Sequence, residues 1–130
     1  MIVDSSALVA ILQNEPEALR LTTAIAESAI CRLPASCLLE TSMLLLGRRS
    51  EDALRDLDLY VARSRMEITS FTESQAGLAR EAFKSFGKGR HPARLNFGDC
   101  MAYALAKETG EELLFKGTDF AQTDIAVAAY

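Results

Sequence analysis

The sequence predicts an α/β fold in one domain: a parallel sheet of four to five strands with α-helices on both faces. Three observations carry that expectation. Short apolar runs at 1–3, 29–33, 66–69 and 113–115 alternate with longer stretches of helical periodicity. Strands separated in this way need crossover connections, which give parallel pairing. The chain has 130 residues, 49% of them hydrophobic and 25% charged, which suits one packed core and excludes a disordered or repeat architecture. No linker or shift of composition divides it, so residues 1–130 read as one domain.

Element by element, Met1-Ile2-Val3 is a buried strand that ends at Asp4, and Ser5 or Ser6 is placed to cap a helix through Leu12. Pro16 suits the first turn of a second helix, whose apolar side carries Leu19 and Ile25. Ala29 to Leu33 is the second strand, closed by Pro34. Ser36 then caps a helix from Cys37 to about Leu46, with Gly47 at its end. Ser50 opens a helix with Leu54, Leu57 and Val61 on one side. After a strand at Met66–Thr69, Thr72 caps a helix running to about Phe86. Glycines and a proline interrupt 87–96, and a helix from about Phe97 to Thr109 ends at Gly110. Leu113–Phe115 is the fourth strand, and Ile125–Val127 offers a fifth at the edge.

Composition removes several functional classes. No apolar run approaches the roughly 18–20 residues of a membrane span. Asp4 follows Met1-Ile2-Val3 directly, so no basic leader precedes an apolar segment, and the expected location is cytoplasmic. Cys31, Cys37 and Cys100 lie in apolar surroundings without metal or redox spacing and read as buried thiols. A net charge of -4 argues against binding nucleic acid through bulk electrostatics. Any such binding must be local.

The acids are more informative. Asp4 stands at the carboxyl end of a strand, where α/β sheets open their ligand crevice; capping of the next helix is the plain alternative. Glu40 is the only charge in C-L-L-E-T-S-M-L-L-L, so it must reach a cleft or pair with Arg48 or Arg49. Asp99 opens an apolar helix and is its only charge before Lys107. Helix-dipole compensation accounts for part of that placement. Asp119 follows the fourth strand, after a turn containing Gly117; Asp124 is a helper or a bystander. Two carboxylates 4 Å apart repel by about 4 kcal/mol at an effective dielectric near 20. A cluster of them calls for a hard divalent cation, Mg²⁺ or Mn²⁺, and hence for phosphodiester chemistry with water. One histidine, His91, is too few for a metal-free histidine-pair mechanism, and no phosphate-loop or H-E-x-x-H motif occurs.

The stretches M-I-V-D-S-S-A-L-V-A-I-L at 1–12, A-S-C-L-L-E-T-S at 35–42, N-F-G-D-C-M-A-Y-A-L-A at 96–106 and L-L-F-K-G-T-D-F at 113–120 resemble the PIN-domain nucleases. The likeness is greatest to the VapC-type toxin ribonucleases of bacterial toxin–antitoxin pairs, and it spans essentially the whole chain. It implies a metal-dependent endoribonuclease, a homodimer, and silencing by a cognate antitoxin. By that resemblance Asp4 and Asp99 are core metal ligands, and Glu40 and Asp119 complete the pocket.

Two further expectations follow from the residues. Lys84, Lys88, Arg90 and Arg94, with His91 between them, form an acid-free stretch whose glycines suggest a flexible loop, and Lys88, Arg90 and Arg94 are candidate RNA contacts. Ser6 and Thr118 are candidate hydrogen-bond donors to the acids. Surplus leucine in 38–46 and 50–64 suggests a surface buried by a second copy or an antitoxin. Two rival readings remain: a non-catalytic RNA- or protein-binding module, and a phosphatase-like domain. The latter usually places a second acid two residues after the first, where this chain has Ser6.

Overall fold

The computed structural model describes residues 1–48 and 52–130. Four strands, β1 (Ile2–Val3), β2 (Arg32–Pro34), β3 (Glu67–Thr69) and β4 (Leu113–Leu114), form a sheet in the order β3-β2-β1-β4. Every pairing is parallel, as the alternation of elements requires. Among the described residues six α-helices connect and cover the strands: α1 (Ser5–Leu12), α2 (Ala18–Glu27), α3 (Ala35–Arg48), α4 (Asp52–Arg63), α5 (Glu73–Phe86) and α6 (Phe97–Thr109). None of the described helices is long and apolar enough to cross a membrane.

Ile2 and Val3 point to opposite faces of the sheet, as do Leu113 and Leu114, yet all four have no exposed surface. Both faces of the central strands are therefore covered, the arrangement expected of a parallel sheet. Leu8, Leu21, Leu33, Leu45 and Leu57 complete the buried core, each worth about 1.5–3 kcal/mol of removed apolar surface. The edge strand β3 is shorter of cover, with Glu67 and Ile68 exposed. Ala102 and Ala106, on α6, are buried, and α6 packs against α5, where Tyr103 lies with its ring centre 5.8 Å from that of Phe86. All three cysteines are free and buried.

Several boundaries differ from the sequence expectation, for local reasons. Of the two caps the sequence offered for α1, Asp4 takes the place and Ser5 or Ser6 does not, because the Asp4 carboxylate accepts the Ser6 backbone N–H. β2 begins at Arg32 and includes Pro34; α3 starts immediately after it, so Ser36 lies in the first turn and does not cap. Gly47 continues α3 and does not end it. The fifth strand reduces to a single bridge between Leu113 and Val127. Ser50, the expected cap of α4, lies outside the described residues. Thr72 and Gly110 do cap as expected, Thr72 through a reciprocal box with Gln75 and Gly110 with φ +70.

The 87–96 stretch is folded, not loose. Gly87 bridges Leu95, the Lys88 N–H donates to the Leu95 carbonyl, and the Arg90 and His91 N–H groups turn back onto the Gly87 carbonyl. Gly87 is required by close approach, since a Cβ there would lie 2.3 Å from the Phe83 carbonyl oxygen.

The strand order carries the main functional consequence. From β1 the chain builds outward through β2 to β3, then returns to place β4 on the other side of β1. The connections thus reverse direction between β1 and β4, which opens a crevice at the carboxyl ends of those two strands.

Two glycine substitutions test this packing in opposite directions. Gly87→Ala should lower stability by about 1–3 kcal/mol, because a rigid backbone oxygen blocks the new methyl. Gly77→Ala, on an exposed turn of α5 with nothing within 4 Å, should raise it by about 0.5–1 kcal/mol. Denaturant melts of both variants provide the comparison.

Candidate active site

The crevice between β1 and β4 gathers acids from four separate parts of the chain. Asp4, Glu40, Asp99 and Asp119 line one cleft of about 480 Å³, together with Ser5, Ser6, Glu15, Asn96, Lys116 and Gly117. Each acid arrives by a different device.

Asp4 extends from the end of β1 and is only 2% exposed. The Ser6 N–H and hydroxyl donate to its Oδ2 at 2.9 and 2.6 Å, and the Cys37 thiol lies 3.8 Å from Oδ1. Burial nevertheless outweighs these donors and pushes its pKa up, with the charge of Glu40 adding to the effect. Glu40 projects from α3, where the Ser5 hydroxyl donates to its Oε2 at 2.8 Å. Gly98 makes room for it: a Cβ on that glycine would stand 2.6 Å from Oε2. The N-F-G-D stretch thus needs its glycine so that α6 can approach the carboxylate on α3.

Asp99 is the third residue of α6. It forms a reciprocal cap with Asn96, accepting the Asn96 N–H at 2.7 Å while donating its own N–H to Asn96 Oδ1 at 3.0 Å. A carboxylate at this position normally titrates low. Here desolvation, followed by the charges of Asp4, Glu40 and Asp119, raises its pKa to about 6 against the Asn96 hydrogen bond. Asp119 is exposed, and its side chain makes no capping bond to the 3₁₀ turn at Phe120–Gln122. Among the described residues, no ion pair engages any of the four. Arg49, one alternative partner for Glu40, lies outside the described residues.

The remaining candidates divide. Ser6 is in place, bridging Asp4 Oδ2 and the Lys116 N–H. Thr118 is exposed and does not line the cleft; its carbonyl accepts the Gln122 side-chain amide at 3.3 Å. Asp124 stands outside, bound by the Tyr103 hydroxyl and, at 2.7 Å, by Lys107. Lys88, Arg90 and Arg94 are exposed and lie outside the cleft lining, with the Arg90 guanidinium 5.8 Å from the Phe83 ring centre. Lys84 pairs with Glu81, and the His91 imidazole accepts the Ala93 N–H. Sequence reasoning missed Ser5, Asn96, Gly98 and Lys116 as parts of the site. Each is a near neighbour of an acid, but which neighbour turns inward depends on the caps and the sheet order.

An all-oxygen, hard donor set whose members have no ion-pair partner among the described residues suits Mg²⁺ or Mn²⁺. Among the described residues, no three such side chains converge closely enough to enclose an ion by themselves. That is compatible with Mg²⁺, which keeps several waters and takes few protein ligands.

The raised pKa of Asp99 has a definite sign in stability. Its folded value, about 6, exceeds the roughly 3.9 of an unfolded aspartate, so the folded state holds the proton more tightly between those limits. Stability is lost as pH rises through about 6. In metal-free buffer Asp99→Asn should therefore melt above the parent at pH 7–8, and the margin should close by pH 4. Thermal melts across that range measure it.

The chain matches the PIN domain family over residues 1–126. It is 44% identical over 129 residues to ribonuclease VapC30 of Mycobacterium tuberculosis, covering 99% of this chain and 98% of the relative. It is also 44% identical over 126 residues to ribonuclease VapC of Mycolicibacterium smegmatis, covering 97% and 98%. Among solved structures, VapC20 of Mycobacterium tuberculosis, titled a sarcin-ricin loop cleaving toxin, superposes with a TM-score of 0.80 at 16% identity, covering 98% and 97% of the two chains. VapBC2 from Rickettsia felis, bound to a DNA fragment from its promoter, gives 0.74 at 15% identity with 99% and 97% covered. The structural likenesses speak for the fold, and the sequence kinship, running end to end, speaks for descent. On both grounds the chain belongs to the PIN-domain family, among its VapC ribonucleases.

Proposed function

We propose that this chain is an endoribonuclease toxin that hydrolyses RNA with a divalent cation, Mg²⁺ or Mn²⁺, and is silenced by a cognate antitoxin. Relatives that match end to end are named ribonucleases, and one fold neighbour is a toxin–antitoxin complex from Klebsiella pneumoniae. The single observation that carries the metal dependence is that four carboxylates from separate parts of the chain line one cleft and, among the described residues, none is taken by an ion pair. A non-catalytic module would have no use for such a cluster, which costs stability when nothing neutralises it.

In this reading Asp4 and Asp99 hold the cation, with Glu40 and Asp119 completing the set or orienting its waters. A bound cation supplies Lewis acidity and an activated water for attack on phosphorus. The chain does the rest. Ser6 and the α1 N-terminus fix one oxygen of Asp4, Ser5 fixes Glu40, and the Asn96 cap holds Asp99. Lys88, Arg90 and Arg94, on the folded loop that leads into α6, meet the RNA backbone beside the cleft.

A homodimer is part of the same proposal. Phe97 is 81% exposed beside Met101, between two apolar clefts lined in part by Leu39 and Met43 on one side and Phe83 on the other. A projecting ring flanked by hollows suits an isologous contact with a second copy. Sedimentation at micromolar concentration should show a dimer that Phe97→Ser converts to monomer.

RNA cleavage assays test the central claim. Activity should require Mg²⁺ or Mn²⁺, vanish in EDTA, and fall at least about 100-fold in Asp99→Asn. Gly98→Ala, which displaces the flexible end of Glu40, should lose activity while its melting temperature stays near the parent's. Cleavage persisting in EDTA would refute the mechanism. Neutralising Arg90 and Arg94 together should weaken RNA binding and reduce the slope of log affinity against log salt by about 1–2.

A further inference from the structure

The geometry points to Lys116 as the residue that positions Asp119 in the cleft, an inference that rests on the metal-nuclease reading above. Of the four acids, Asp119 alone is exposed and, among the described residues, alone lacks a bond from its side chain to a neighbouring residue. Its place depends on the path of the backbone after β4. That path is pinned at Lys116. The Lys116 N–H donates to the Ser6 hydroxyl at 3.0 Å, the same hydroxyl that donates to Asp4. Its ammonium reaches across to the turn between α1 and α2, where it pairs with Glu15 and, at 3.0 Å, with Glu17.

Gly117, at φ +119, then redirects the chain, and Phe120 closes the segment against Phe115 with ring centres 5.0 Å apart. Between those aromatic anchors, Lys116 is the side chain that ties the loop to the rest of the domain through ion pairs. Both glutamate side chains are largely covered, with 30% and 27% of their surface exposed, and the paired ammonium is held in its charged form by them. Its ammonium donates to Glu15 and lies 3.0 Å from Glu17, so its charge is already paired, and Lys116 serves as a strut and not as the group that meets the substrate phosphate. Because Ser6 binds both Asp4 and the Lys116 backbone, the arm that carries Asp119 is registered directly against the most buried carboxylate of the cleft.

Mn²⁺ titration calorimetry on the intact protein, without RNA, separates this role from plain structural support. Lys116→Met should weaken Mn²⁺ binding about tenfold, and Lys116→Arg should restore it to within about threefold of the parent. In an Asp119→Asn background, Lys116→Met should add less than a twofold further loss, since the strut then has nothing to position. The pair Glu15→Gln and Glu17→Gln, combined in one chain, loosens the same strut from the other side and should reproduce the tenfold loss; it decides the question if Lys116→Met fails to fold. Unchanged Mn²⁺ affinity with only a lower melting temperature would overturn the inference. So would an equal loss with and without Asp119, or tighter Mn²⁺ binding, which would mean that Lys116 serves to neutralise Glu15. Failure of the parent itself to bind Mn²⁺ would overturn the metal-nuclease reading, and this inference with it.

Discussion

Carboxylates that share a cleft repel one another, and in this protein much of the architecture serves to hold them there regardless. Asp4 is buried without a cation, and Asp99 is pushed to about pKa 6 although it occupies a helix start that would otherwise keep it low. The folded chain accepts that cost through hydrogen bonds that fix three of the acids individually. None of those bonds removes charge. They orient it, leaving an electrostatic demand that a hard divalent cation and the phosphate it binds would satisfy.

That demand arises at the point of the sheet where the connections reverse. With strand order β3-β2-β1-β4, the connections part on either side of the β1–β4 seam. Asp4 leaves β1 and Asp119 follows β4, so the two flank the seam directly. Glu40 and Asp99 come from helices, and they reach it because α6 can approach α3 closely. Gly98 permits that approach, and the small side chains of Ala102 and Ala106 keep α6 tight against its surroundings. Packing density and charge density are thus coupled: bulk added at Gly98 is paid in the position of Glu40.

Lys116 shows how a cation can belong to an acidic site without neutralising it. Its charge is taken by Glu15 and Glu17, outside the set that acts on Asp99. What it contributes is geometry, at the point where the least restrained acid joins the cleft. The basic residues of the 87–96 stretch do not line the cleft, and the bridge between Gly87 and Leu95 gives them a definite framework.

The order of apolar runs was enough to specify a parallel α/β sheet, because burial on both faces leaves a continuous hydrophobic signal that survives in one dimension. The suspicious acids were legible for the same reason: a lone charge such as Glu40 within an apolar helix conflicts with its surroundings wherever the chain goes. Boundaries were less legible. Asp4 took a cap that Ser5 and Ser6 also offered, and Gly87 proved to permit a close turn against Phe83; these partners are near in sequence, but which of several adjacent candidates is used depends on the backbone path that the packed sheet imposes. Ser5, Gly98 and Lys116 entered the site only through tertiary structure. Ser5 meets Glu40 across 35 positions and Lys116 meets Glu15 across 101, and such contacts leave no local period or spacing to read. Local chemistry named the acids; the sheet's reversal between β1 and β4 decided that they should meet.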